Sequence, residues 1–426
     1  MSIPSIIVGE GNWAGKSGNL LGYAVSDVKI LPREFTVSRA LNTATRVNAS
    51  GNIEGVNANF PRIDYFGGQA SLLVEPSAQN FHPEGDSMVS FQKFAGGGAV
   101  MPSVTSTTSL SGQNNAAIIV GGSGSTGNWG IFRLIPTGIN SGQTVTYSVF
   151  AKAGTNNFMQ LLQSNVAGTG GNNAYFDLSN GTTPTANARI ENWGNGWYRC
   201  IMPPFTFTAT PDGTYNIGHR LTENTTSNTW STPYLGKSVI FYGAQLEIGS
   251  VATSYIPTLS TVPVTRNADV ISVTGVAGLI GQTEGTIYVE VDVRNFTNSA
   301  RIIAISDGTG FNAIPLQLLV DGGLNFIRVP INALSSSQTD IIASMSSGVN
   351  KIALGYAQNN VALYLNGTSV GTDTSCNIPA TNKLDLGSLN GATFFNNRIR
   401  AASIYQTRLP NTTTDGSPSL QSITTL

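Results

Sequence analysis

Catalysis and metal binding each need a few reactive side chains brought to one place, and this sequence is sparing with them. Its 426 residues include two histidines, His82 and His219, and two cysteines, Cys200 and Cys376. Neither histidine has a His, Cys or carboxylate neighbour at ligand spacing, so no side-chain zinc site is expected and no metal ligand is assigned. The cysteines lie far apart and read as free buried thiols in different domains, not as a disulfide framework. The runs Gly96-Gly97-Gly98 and Gly121-Gly122-Ser123-Gly124 lack a following helix that would cradle a phosphate, and read as loops. The reaction left to weigh is glycoside hydrolysis, which needs two carboxylates across a cleft. Glu290 and Asp292, two apart on one strand face, are a weak match, because a solvated strand face produces the same spacing. No catalytic residue is assigned and no enzyme is expected.

The elements that would carry these residues are strands. Apolar alternation with period two recurs along the chain, broken by clusters of Gly, Asn, Pro and Ser. Thr144 to Lys152 alternates with Val145, Tyr147 and Val149 on one face. Asn157 to Gln163, Ala174 to Leu178, Trp197 to Ile201, Val239 to Leu246, Gly285 to Val293 and Ile302 to Ser306 continue the series. Lys351 to Tyr356 and Val361 to Leu365 flank Ala357-Gln358-Asn359-Asn360 as a hairpin, and Asn366-Gly367 then marks a second tight turn. No stretch of comparable length has a helical apolar stripe. The chain is therefore predicted to be all-β, as tandem antiparallel β-sandwiches behind an irregular N-terminal region. The boundaries are 1–80 for that region, 81–257 for a jelly roll, 258–268 for a linker, 269–410 for a second sandwich, and 411–426 for a surface tail.

Composition narrows the partners. Charged residues are 11% of the chain and the formal net charge is −1. Without a basic field, neither nucleic acid nor an anionic membrane surface is an expected partner. No apolar run approaches the length of a membrane span, so no membrane insertion is expected. The N-terminal sequence has no basic region leading into an apolar one, so no secretory signal is read there.

Three stretches resemble known families. Ser38-Arg39-Ala40, Thr45-Arg46-Val47-Asn48, Gly51-Asn52-Ile53-Glu54 and Pro61-Arg62-Ile63-Asp64-Tyr65, closing on Ser71-Leu72-Leu73-Val74-Glu75-Pro76, resemble the N-terminal module of many phage tail, fibre and capsid-appendage proteins. Tyr147 to Gly154, Ala174 to Leu178, Gly194 to Cys200, Gly243 to Glu247 and Thr253 to Thr258 together resemble the carbohydrate-binding-module-like jelly roll found in the same proteins. Residues 285–410, through Asn366-Gly367, Leu384-Asp385-Leu386-Gly387 and Ile399 to Tyr405, are similar to the concanavalin A-like (laminin-G-like) sandwich. The resemblance implies a phage virion structural protein, a fibre or appendage that attaches to host-surface glycans from the virion surface after synthesis in the host cytoplasm. It also implies a homo-oligomer, with a trimer as the expected number, docked to other virion proteins through its N-terminal region. A capsid decoration or head-fibre protein and a polysaccharide depolymerase are the alternatives.

Sugar recognition by such a sandwich calls for exposed aromatic rings with amide and carboxylate partners. Trp230 lies in the polar stretch Thr225 to Tyr234 and reads either as a stacking ring, extended by Tyr234, or as an aromatic that pins the loop. Trp193 beside Gly194, and Trp129 within Gly127 to Gly130, are the other candidates for a glycan-binding platform. Trp197 reads as a core anchor, and Trp13 as a contact to a partner subunit or the virion. Asp307-Gly308-Thr309-Gly310 and Asp321-Gly322-Gly323 are acidic turns of the kind that supply calcium ligands, and equally are ordinary hairpin turns. Calcium stays open, and no other cofactor is expected.

Overall fold

A computed structural model describes residues 3–9, 13–16, 18–26, 29–135, 138–165, 171–211, 213, 215–334 and 336–425. The chain is all-β, as its alternation predicts. Among the described residues regular helix is confined to Leu420–Thr424 and a 3-10 turn at Met88–Ser90. The main ladders are antiparallel. The division of the chain differs from the predicted one. It forms two compact units, one of residues 1–42, 56–77 and 267–426, the other of residues 43–55 and 78–266.

The second of these units is a two-sheet sandwich. One sheet runs in the order Gln92–Gly96, Asn128–Leu134, Tyr215–Leu221, Phe158–Asn165, Asn173–Asp177. The other runs Ser103–Thr107, Ala116–Val120, Ser238–Ile248, Thr144–Ala153, Trp197–Ile201, Arg189–Asn192, with Phe205–Thr206 pairing Thr144–Ala153. Ile131, Met159, Leu161, Phe176 and Ile217 of the first sheet share a core with Ile119, Val145, Tyr147, Val149, Val239 and Phe241 of the second. The predicted face of Val145, Tyr147 and Val149 is therefore the core face. The opposite face of the same strand is buried as well. Phe150, Tyr242 and Trp197 pack there with Ile53 and Tyr255, which come from segments that lie across it. This explains why residues 43–55 belong to this unit, and it bears out Trp197 as an anchor. The predicted 258–268 linker is tied down too. Thr258 is buried and hydrogen-bonds Gly85 N and His82 O, and Val264–Arg266 pairs with Ala78–Asn80.

In the other unit the N-terminal strands are not a separate docking region. Ile6–Gly9 and Ser71–Val74 both pair with Asn397–Tyr405, and Lys29–Ser38 pairs with Val270–Thr274. The motif residues of that region build a buried ion network. The Arg39 guanidinium meets Asp269 at 2.8 Å, and Arg62 bridges Glu75, at 2.7 Å, and the same Asp269. Desolvation opposes the charge on Arg62, but Asp269 and Glu75 outweigh it and hold its pKa above the usual range. Arg39 also donates to the Asn57 and Phe60 carbonyls, so the network supplies the donors and acceptors that a buried charge requires. The predicted surface tail is partly structural. Ser419 caps the short helix with a capping box, and Leu420 is buried among Tyr288, Ala353, Tyr364 and Tyr405. The Asn366-Gly367 turn has φ of 49° and 80° at its two residues, which the mirror-image hairpin turn requires. Cys200 and Cys376 are free and buried, one in each unit, as the sequence suggests.

Candidate functional site

The four aromatic residues singled out from the sequence do not form an exposed platform. Trp129 and Tyr234 are 0% exposed and Trp230 is 3% exposed. Their rings pack on one another, with centroids 6.1 Å apart for Trp129 and Trp230, 5.3 Å for Trp129 and Tyr234, and 5.6 Å for Trp230 and Tyr234. The polar loop folds back so that Trp230 bridges Gly127, and its indole Nε1 donates to the Leu221 carbonyl at 3.0 Å. Glu223 holds the loop closed by accepting from Ser231 and Thr232. Trp230 is thus the loop-pinning aromatic, one of its two predicted readings. Trp193 is half-buried elsewhere, edge-on to Phe150 at 4.7 Å. Trp13 is not left free for a partner subunit: it packs against the core of its own unit and donates to the Arg400 carbonyl at 3.0 Å.

The residues weighed for chemistry are likewise held in structural roles. Glu290 pairs with Arg400 at 3.3 Å and Lys351 at 4.0 Å, and Asp292 pairs with Arg294 at 3.1 Å. Asp307 accepts from Thr309 and Asn312, and Asp321 faces Leu324 across a tight turn, so both acidic turns are closed hairpin turns. Among the described residues no group of three or more His, Cys, Asp or Glu side chains is placed to hold a metal ion. Gly367-Thr368-Ser369-Val370-Gly371 has the spacing of a nucleophile elbow, but it opens the returning strand Thr368–Asp373 of a hairpin and leads into no helix.

A different surface has the composition that a binding site needs. In the five-stranded sheet, alternate residues turn away from the core. Strand register aligns them into rungs. One rung reads Phe94, Gly130, Arg220, Gln160, Tyr175, and the next reads Gln92, Phe132, Gly218, Leu162, Asn173. Four strand spacings make each rung about 19 Å long. Phe94, Phe132, Leu162, Tyr175 and Arg220 are all half-buried, neither packed away nor fully in solvent.

The two glycines shape this face. A Cβ on Gly218 would have Phe132 Cβ and the Ile131 and Leu162 carbonyls as its nearest neighbours, at 3.7–3.9 Å, which is ordinary contact distance. Gly218 is buried and forms a side-chain-free floor between Phe132 and Leu162 on the neighbouring strands, with Arg220 two residues along its own. Gly130 allows a close approach instead, since a Cβ there would fall 2.0 Å from the His219 carbonyl oxygen. With no side chain between them, the Arg220 guanidinium reaches over the Phe94 ring, 5.1 Å from its centroid. Its Nη1 lies 3.5 Å from Gln160 Oε1.

At one end the face runs into a cleft of about 270 Å³ lined by Pro83, Gln92, Arg133, Leu134, Gly213 and Thr261. Arg133 is occupied there, paired with Glu84 at 2.7 Å. Burial lowers the Arg220 pKa, with Tyr175 acting in the opposite sense, and burial raises that of Tyr175, with Arg220 opposing. The face thus offers aromatic rings, the exposed amides of Gln92 and Asn173, one phenol and one cation, with the Gln160 amide buried beneath them at 2% exposure. Such a set can bind a polar ligand with apolar faces, and it contains no acid–base pair.

No protein-family model matches the chain, and no curated protein matches it. Several solved structures share limited similarity. The CBM40 of the Ruminococcus gnavus IT-sialidase, bound to α2,3-sialyllactose, is 16% identical over 35% of this chain and 86% of its own, with a TM-score of 0.28. Domain 4 of AbnA, a GH43 extracellular arabinanase from Geobacillus stearothermophilus, in complex with arabinotriose, is 16% identical over 34% of this chain and 69% of its own, with a TM-score of 0.27. Domains LG4-5 of the mouse laminin α1 chain are 10% identical over 64% of this chain and 85% of their own, with a TM-score of 0.22. Scores this low carry no argument about ligand or activity. What stands on this chain's own coordinates is an all-β protein of antiparallel sheets with one open, aromatic-flanked sheet face.

Proposed function

We propose that the protein binds glycan, holding an oligosaccharide across the outer face of the five-stranded sheet. The observation that carries this reading is the side-chain-free floor at Gly218, flanked by the half-buried Phe132 and Leu162 and lying beside Arg220, Gln160 and Tyr175 in register. Sugar rings present apolar C–H faces that pack on aromatic rings, and hydroxyls that pair with amide, phenol and guanidinium groups. The sequence resemblance of residues 81–257 to a carbohydrate-binding-module-like jelly roll supports the same reading. Resemblance to phage fibre and appendage proteins supports a virion-surface setting, with a host-surface glycan as partner and a homo-oligomer as the working form. Our reading is attachment without hydrolysis, and the pairing of the strand carboxylates Glu290 and Asp292 with Arg400, Lys351 and Arg294 supports it.

The test is titration calorimetry with glycans selected on an array, using wild type and Phe132→Ala. The substitution removes one wall of the depression and is expected to weaken binding about tenfold, the cost of losing a central contact, with the melting temperature unchanged. Undiminished binding by the variant would move the site off this face. Absence of any glycan ligand would leave a purely structural role.

A further inference from the structure

We infer that the glycan carries a carboxylate and that Arg220 is the residue that selects it; this rests on the glycan-binding reading. Arg220 is in the middle strand of the five, next to the side-chain-free floor at Gly218. It is half-buried, fixed over Phe94 at 5.1 Å and near Gln160, and its Nε has no acceptor among the described protein atoms. No carboxylate among the described residues pairs with it. Several arginines here have acidic partners: Arg133 has Glu84 at 2.7 Å, Arg398 has Asp64 at 2.7 Å, and the fully buried Arg62 has two. Arg301, also partly buried, donates to the Ser299 carbonyl and has no acidic partner among the described residues, so what singles out Arg220 is its place on the sheet face, over Phe94 and beside Gln160.

A partly desolvated cation without a counter-charge is costly unless something supplies the charge. Phe94 and Gln160 orient the guanidinium without neutralising it. A planar fork held in one orientation beside this floor matches a carboxylate, which can accept two parallel N–H bonds from it. The acidic sugars that bear such a group, uronic acids and sialic acids, also carry the apolar ring face that Phe132 would receive. A neutral sugar would occupy the same depression and leave the cation unmatched.

The experiment uses the full chain and four carboxylated polysaccharides: polygalacturonate, alginate, hyaluronan and polysialate. Each is titrated beside its carboxyl-reduced form, against wild type, Arg220→Gln and Arg220→Lys, with melting temperatures recorded. Wild type is expected to bind at least one acidic polymer about tenfold more tightly than its reduced form, the scale of a charge-assisted pair. Raising the salt should narrow that gap. Arg220→Gln should abolish the gap by weakening the acidic form more than the reduced one, and Arg220→Lys should restore part of it. Equal binding of acidic and reduced forms by wild type, or equal weakening of both by Arg220→Gln, would overturn the inference and leave glycan binding intact. No binding to any of the eight polymers by wild type, together with no ligand on the array, would overturn both.

Discussion

His82, Tyr147 and His219 form a polar group inside the core of the jelly-roll unit, and all three are buried. The Tyr147 hydroxyl and His219 Nε2 are 2.5 Å apart, and His82 Nδ1 lies 3.0 Å from the Pro83 carbonyl. Phe91 and Phe241 complete the aromatic surroundings. Burial pushes the His82 pKa down to about 3, with Arg133 adding to the effect, and pushes that of His219 well below its ordinary value, with His82 adding to it. Both rings are neutral in the fold, whereas in the unfolded chain they take up protons near pH 6.5. Stability from this source is complete above pH 6.5 and is lost as pH falls toward the folded value, by about 2 kcal/mol per histidine at pH 5. Asp86, Glu247 and Asp385 have raised pKa values through burial and act in the opposite direction. The histidine effect is therefore read as a difference. Denaturant unfolding at pH 7.5 and pH 5 should show a smaller loss for His82→Leu than for wild type, and an equal loss would contradict the assignment. The sequence showed that neither histidine had ligand neighbours, and it could not show that a loop and a strand more than a hundred residues apart would bring the two into one core.

At the scale of the element, the site is a product of strand register. Alternation correctly gave the core face of Thr144–Ala153, and Asn157 to Gln163 and Ala174 to Leu178 were legible as strands of the five-stranded sheet proposed to bind glycan. Its other three strands, Gln92–Gly96, Asn128–Leu134 and Tyr215–Leu221, were not; in the last two, Gly130 and Gly218 interrupt the apolar pattern. Tryptophans in polar loops drew attention instead. They became buried because Gly127 and Trp230 form a bridge that turns the loop inward, a long-range pairing that no local pattern encodes. Gly218 gives the direct element-scale prediction. Its backbone does not require glycine, and a Cβ there meets only ordinary contacts. Gly218→Val should therefore leave the melting temperature near that of wild type while filling the depression, with glycan binding reduced at least tenfold. Retention of full affinity on an array or by calorimetry would show that the depression is not the site.

At the scale of the whole chain, the two units interleave in sequence: the N-terminal motif residues Arg39, Arg62 and Glu75 serve the unit that also contains residues 267–426, while Thr45 to Asn48 and Gly51 to Glu54 belong to the other. The sequence separated residues 1–80 because they are rich in Gly and Asn and irregular. Arg39, Arg62 and Glu75 instead converge on Asp269, across a gap of roughly two hundred residues, and composition gives no sign of that convergence. Removing one member leaves buried charge uncompensated, so Asp269→Asn should destabilise this unit by about 3–5 kcal/mol. Denaturant unfolding followed by a probe in each unit should show the loss in this one and an unchanged transition in the jelly-roll unit.

The central claim is that the outer face of the five-stranded sheet binds glycan, and the most direct measurement is a glycan array probed side by side with wild type and Phe132→Ala, both checked for folding. The account predicts saturable binding by wild type that falls about tenfold in the variant at equal melting temperature. Glycan binding of equal strength by both proteins would contradict it.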